Sequence, residues 1–181
     1  WSKKAIAEAK NFGETIILAD SSTKNFNYIP KDYSIDENLD YFHCTSNNTI
    51  YGTQIKKFPE CPTLLVCDMS SDIFSRNIDI TQFDLIYAGA QKNMGPAGTT
   101  LVIIKKNILG KTNRNIPTML DYRTHIKGAS MFNTPPVFPI YVSMLTLKWL
   151  KNIGGINTIE KINNKKASLI YNEIDRNPLF T

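Results

Sequence analysis

The stretch Tyr87-Ala-Gly-Ala-Gln91-Lys92-Asn93-Met-Gly95-Pro-Ala-Gly98 runs directly into the apolar segment Thr99-Thr-Leu-Val-Ile-Ile104. A second β-prone run, Asp84-Leu-Ile-Tyr87, leads into it. One lysine therefore sits in a Gly- and Ala-rich turn between two expected strands. Gly89, Gly95 and Gly98 permit positive φ or close approach of the backbone to a ligand. A lysine held between buried strands is partly desolvated, which favours its free amine. A free amine there can form a Schiff base with a carbonyl compound. The same spacing also allows a lysine that points to solvent from a glycine-rich turn, the commoner setting for lysine.

The apolar runs Thr15–Ala19, Tyr41–Thr45, Thr63–Cys67, Leu85–Tyr87 and Thr99–Ile104 give five candidate strands. They are short and lack clean alternation, so they are expected to be buried on both faces. That pattern predicts an α/β fold with a mixed, mainly parallel sheet and flanking helices. Ser2 is expected to cap a helix over Lys3–Phe12 that stops at Gly13, and residues 20–40 read as a polar surface excursion. Asn107–Gly110 reads as a helical turn and Lys111–Lys127 as irregular chain. Pro135-Pro136 opens a helix to about Lys151. Gly154-Gly155 breaks it, and a long amphipathic helix follows with Ile156, Ile159, Ile162, Leu169, Ile170 and Ile174 mostly on one face.

The 181 residues carry a net charge of +5 without a basic stripe, which disfavours nucleic acid as a partner. Modest positive charge suits small anions. Three cysteines, Cys44, Cys61 and Cys67, show no CxxC spacing, and their odd number opposes a disulfide framework. Cys67 reads as a small core residue. His43 and His125 are far apart, which opposes a zinc site. There is no signal-peptide core and no apolar run of membrane-spanning length. A reducing compartment is expected: the cytoplasm, or an organelle if a transit segment has been lost. The chain starts at Trp1 without an initiator Met, so we expect a fragment or a processed product.

Asp68 follows the run Thr63–Cys67, where the C-terminal edge of an α/β sheet places ligand groups. A carboxylate there can pair with a protonated pyridine nitrogen; it can equally be a helix cap or turn residue. Asp68 and Lys92 lie 24 residues apart at the ends of successive strands, which permits them to face one pocket. Asn133-Thr134 before Pro135-Pro136 presents an amide and a hydroxyl at a helix N-terminus. That setting favours phosphate, and it also suits simple capping. No GxxxxGK[ST] or GxGxxG motif is present, which disfavours an ATPase or a nicotinamide-binding domain.

The segment Ala88–Gly98 strongly resembles the Schiff-base lysine segment of phosphoserine aminotransferases. The resemblance extends through Cys67-Asp-Met-Ser-Ser71, Ser75-Arg-Asn-Ile-Asp79, Ser130-Met-Phe-Asn-Thr-Pro-Pro136, Lys148-Trp-Leu150 and Gly154-Gly155. It covers nearly the whole chain, in order. It implies the large domain of a class V, fold type I enzyme dependent on pyridoxal 5'-phosphate, present incompletely. On it, residues 1–152 are part of the cofactor-binding large domain. Residues 153–181 form a long helix leading toward a small C-terminal domain.

The implied reaction exchanges an amino group between L-glutamate and 3-phosphohydroxypyruvate, giving O-phospho-L-serine and 2-oxoglutarate in serine biosynthesis. Some relatives also form phosphohydroxythreonine for pyridoxine biosynthesis. The resemblance makes Lys92 the cofactor lysine and Asp68 the partner of the pyridine nitrogen. It makes Gln91 a phosphate contact and Thr49 the partner of the ring hydroxyl. Trp1 becomes the aromatic that stacks on the ring. Asn133 and Thr134 reach the partner's cofactor phosphate in a homodimer. Ser70 and Ser71 are expected to add hydroxyls to the phosphate site, and Arg76 and Asp79 to be structural. Upstream phosphate ligands and downstream substrate-binding arginines of the family have no counterparts here, so the 181 residues alone are expected to lack turnover. Two alternatives stay open: another fold type I enzyme of this cofactor class, or a catalytically incomplete α/β domain that binds an anion.

Overall fold

Four of the five expected strands assemble into one sheet in the computed structural model, which describes residues 1–180. Thr181, the last residue of the segment 153–181, lies outside the described residues. In chain order the elements are α1 (Ser2–Ala9), β1 (Tyr41–Thr45), β2 (Asn47–Asn48), β3 (Thr53–Gln54), β4 (Leu64–Asp68), β5 (Leu85–Gly89) and β6 (Thr100–Ile104). Then come α2 (Tyr122–Lys127), α3 (Val137–Asn152) and α4 (Gly155–Arg176). The main sheet has the order β1-β4-β5-β6, while β2 and β3 form a separate two-stranded hairpin. β1 and β5 flank β4 in parallel, and β6 returns antiparallel to β5.

Strand alternation sorts the sheet into two unlike faces. Leu65 and Cys67 on β4 and Ile86 and Ala88 on β5 are buried together with Met69, Ile73, Phe83, Ala90 and Met94. Phe58 packs edge-on against Phe83 at 4.7 Å between ring centroids. The opposite face carries His43, Val66, Asp68 and Tyr87 and is only half-buried. The expectation of burial on both faces thus holds for one face. Cys67 is a core residue, as expected.

Several local expectations need correction. Thr15–Ala19 forms no strand: no described strand pairs with it, and Ile16 and Ile17 are exposed. An apolar run without a neighbour has nowhere to place its backbone hydrogen bonds except water. α1 ends at Ala9 rather than Phe12, and Trp1, not Ser2, occupies its N-cap. Ser2 Oγ instead shares a hydrogen bond with Thr45 Oγ1 at 3.0 Å. The Lys111–Lys127 segment is not wholly irregular. Asp121 caps α2 by accepting from the Arg123 amide at 2.9 Å, a turn-and-cap signal within a polar stretch. Gly154, at φ +106°, separates α3 from α4 as expected. No helix among the described residues is long and apolar enough to cross a membrane.

Candidate active site

The parallel strands β1, β4 and β5 deliver their C-terminal ends to one edge, where Thr45, Asp68 and Tyr87 stand in register. Asp68 Oδ1 accepts from the Ser70 amide at 2.8 Å and the Ser70 hydroxyl at 2.6 Å. Ser70 Oγ also accepts from the Gly89 amide at 3.0 Å, so one serine ties the ends of β4 and β5 together. Asp68 is therefore a turn residue through Oδ1, while Oδ2 has no partner among the described residues. The two readings of this aspartate are compatible.

Lys92 lies on the turn after β5, and the buried residues of that turn are Ala90 and Met94. The lysine itself is exposed, so the desolvation expected between two strands is not supplied by this chain. It is not adrift, however: Nζ donates to Thr49 Oγ1, at the tip of the β2–β3 hairpin. Its neighbour Asn93 secures the turn by donating to the Ile73 carbonyl at 2.9 Å. Gly95, at φ +149°, is pressed by Ser143 of α3, and an added Cβ would come within 3.3 Å of the Ser143 Cα. Gly89 serves differently, because a Cβ there would overlap the Gln91 side-chain amide. That amide thus lies over the last residue of β5.

Trp1 adjoins Ser2, which is bonded to Thr45, the residue in register with Asp68. Its ring is exposed, with the Lys4 amine 5.0 Å from the centroid. Asn133 and Thr134 are exposed ahead of α3 and join none of these groups within this chain. Asn133 Nδ2 meets Met119 Sδ at 3.1 Å, and no side chain caps α3, so the capping alternative is not realised. Ser70 and Ser71 are committed internally, Ser71 donating to the Asn47 carbonyl at 2.8 Å. Asp79 caps a short turn by accepting from the Thr81 amide at 3.0 Å.

Two groups beside the site escaped the sequence reading. His43 Nε2 and Tyr87 OH share a 2.9 Å hydrogen bond on the Asp68 face of the sheet. Burial pushes the His43 ring below its ordinary pKa, the nearby Asp68 carboxylate opposing this. Burial pushes the Tyr87 hydroxyl up, and the Asp68 charge adds to it. Asp72 is the other, bonded to Arg76, Gln54 and Ser46. Strand geometry, which puts residues two apart on one face, was the available signal for His43; Asp72 had only its spacing to Arg76.

The chemistry assembled is an amine, a hydroxyl, an amide and a half-free carboxylate at a parallel-sheet edge. Residues 4–181 match the family model described as Aminotransferase class-V. The chain is 69% identical over 180 residues to a phosphoserine aminotransferase of Flavobacterium psychrophilum, covering 99% of this chain and 51% of that protein. A solved phosphoserine aminotransferase from Bacillus circulans subsp. alkalophilus superposes with a TM-score of 0.91 at 46% identity, over 97% of this chain and 49% of that one. A PLP-bound phosphoserine aminotransferase from Trichomonas vaginalis gives 0.91 at 36% identity, over 98% of this chain and 54% of that one. The chain spans about half the length of the curated relatives it matches. By the family model that spans it and by its identity to these relatives, the chain belongs to the class-V aminotransferases.

Proposed function

We propose that this chain is the cofactor-lysine half of a phosphoserine aminotransferase that uses pyridoxal phosphate. The reaction transfers an amino group from L-glutamate to 3-phosphohydroxypyruvate, yielding O-phospho-L-serine and 2-oxoglutarate. The observation that carries the reading is the Lys92 amine bonded to the Thr49 hydroxyl, beside the strand end where Asp68 keeps a free carboxylate oxygen. This donor set fits the cofactor: an amine for its aldehyde, an acceptor for its ring nitrogen, a hydroxyl and an amide for its remaining oxygens.

Bound there, pyridoxal phosphate supplies an electron sink for charge developing at the substrate α-carbon. Lys92 would hold the group through Nζ. Freed when an amino acid takes its place, the same amine would carry the α-proton from the substrate to the cofactor's former aldehyde carbon, as general base and then acid. Asp68 Oδ2 would accept from the protonated ring nitrogen and keep that proton in place. Ser70 fixes the carboxylate by occupying its other oxygen. Thr49 addresses the ring hydroxyl, Gln91 the phosphate and Trp1 the ring face. Asn133 and Thr134, unengaged with the site of their own chain, serve the phosphate of a second copy in a homodimer. The free thiols Cys44, Cys61 and Cys67 support a reducing compartment.

The test uses the full-length protein incubated with pyridoxal phosphate. A visible absorption band is expected, with borohydride fixing the cofactor onto Lys92 by mass spectrometry, and Lys92→Ala losing both. Full-length protein that acquires no band overturns the reading.

A further inference from the structure

Asp72 is the one acidic side chain buried among the described residues, 2% exposed. Its Oδ1 accepts from the Ser46 hydroxyl. Its Oδ2 accepts from Gln54 Nε2 at 3.2 Å and from Arg76 Nε and Nη2 at 3.3 and 3.1 Å. Arg76 Nη2 also donates to the Ile55 carbonyl at 2.8 Å. A buried carboxylate loses its hydration, and only pairing and hydrogen bonds of this kind offset that loss.

What those partners have in common is their place in the chain. Ser46 immediately precedes β2 and Gln54 closes β3, so they are the two feet of the hairpin whose tip holds Thr49. The Ile55 amide closes the base by donating to the Ser46 carbonyl at 2.8 Å. Asp72 therefore grips both feet at once. A third tie runs from the same loop: Asn47 Nδ2 donates to Ser71 Oγ at 3.0 Å. The Lys92 turn is fastened to that loop too, through Asn93 and the Ile73 carbonyl. Loop 69–75 thus frames both partners of the Lys92–Thr49 bond, and its charged centre is Asp72.

We propose that Asp72, paired with Arg76, is a positioning residue that sets the Thr49 hydroxyl against the Lys92 amine. The proposal rests on the functional reading above, and it assigns to Asp72 an influence on the cofactor that acts through Thr49. A merely structural role would lower stability without touching the proton affinity of the group bound at Lys92.

The experiment compares full-length protein with Asp72→Asn, Thr49→Ala and the double variant. Asparagine keeps the side chain's size while removing the charge shared by Arg76, Gln54 and Ser46. In cofactor-free protein, Asp72→Asn is expected to speed amide exchange over residues 47–54 about tenfold while leaving 85–89 unchanged. In protein loaded with pyridoxal phosphate, the pH midpoint of the visible absorption is expected to move by about half a unit, a threefold change in proton affinity. Thr49→Ala should move it similarly, and the double variant no further than either single change.

Additive shifts, or a midpoint unmoved in Asp72→Asn alongside a lowered melting temperature, overturn the proposal. Should Asp72→Asn fail to fold, Gln54→Leu frees one foot only, and the same midpoint shift, absent in a Thr49→Ala background, decides. Unmodified protein without any cofactor band overturns the functional reading and the proposal together, a result distinct from a band that Asp72→Asn leaves unchanged.

Discussion

Gly89 lacks a side chain at the point where the Gln91 amide lies back over β5. Since the colliding atoms belong to the far end of a flexible side chain, Gly89→Ala should displace Gln91 rather than the backbone. Stability in urea is expected to change by less than about 1 kcal/mol, while the full-length protein binds pyridoxal phosphate about tenfold more weakly. Unchanged affinity would remove Gln91 from the site. His43 offers a second test at this scale. Burial holds its pKa below the ordinary 6.5, with Asp68 opposing. Below that pH the unfolded chain binds a proton that the folded chain refuses, so stability is lost as pH falls and is complete above it. His43→Gln, which keeps a donor toward Tyr87, is expected to flatten the decline between about pH 6.5 and 5, measured by urea unfolding. Equal slopes would show that the ring accepts its proton in place. The placing of Lys92 and Asp68 at the ends of successive strands was legible because strand ends and glycines mark positions in one dimension. The exposure of Lys92 realises the solvent-facing alternative that its glycine-rich turn allowed. Asp72 was not legible: the bond from Ser46 to Asp72 joins residues 26 apart in sequence, which no local pattern encodes.

Helix α4 shows what periodicity alone can and cannot say. Its apolar stripe was readable, yet the described chain uses only the first turns. Asn77 Nδ2 donates to Asn157 Oδ1 at 2.5 Å and to Glu160 Oε2 at 3.0 Å, and Asn163 donates to the Ser75 carbonyl at 3.2 Å. Further along, Ile162, Leu169, Ile170 and Ile174 are exposed. Glu160→Ala should therefore raise amide exchange over residues 156–163 and 75–77, with residues 169–174 unaffected. A uniform increase along the helix would mean that α4 docks as one piece. The antiparallel return of β6 was also within reach of the sequence: the turn 90–99 is shorter than the dozen or so residues a parallel crossover takes. Thr15–Ala19 marks the opposite limit. Its composition suits a strand, but a strand exists only with a neighbour, and the described sheet gives it none.

At the scale of the whole molecule, the fold class was legible because Tyr41–Thr45, Leu64–Asp68, Leu85–Gly89 and Thr100–Ile104 carry their apolar side chains in runs that only a covered sheet tolerates. How much of that cover the chain itself supplies was not legible. Its accessible surface is 13126 Å², whereas a compact monomer of its 20.5 kDa mass would expose about 8,800 Å². Many large apolar side chains are exposed. α3 is apolar nearly all round, and its Val137, Phe138, Tyr141 and Trp149 are exposed, as are Ile16, Ile17, Leu169 and Ile170 elsewhere in the chain. A helix apolar on every side belongs in an interior, and large exposed apolar surface marks places that something else covers. The relatives run to about twice this length, which leaves room for such cover. The expectation is that these 181 residues produced alone bind an apolar dye, sediment as a mixture of associated species and show no exchange between phosphoserine and 2-oxoglutarate. The full-length protein is expected to sediment as a single species and bind little dye. If the short chain instead sediments as a clean monomer without dye binding, α3 is a true exterior surface. If it turns over substrate as well, the groups around Lys92 need no further chain to act.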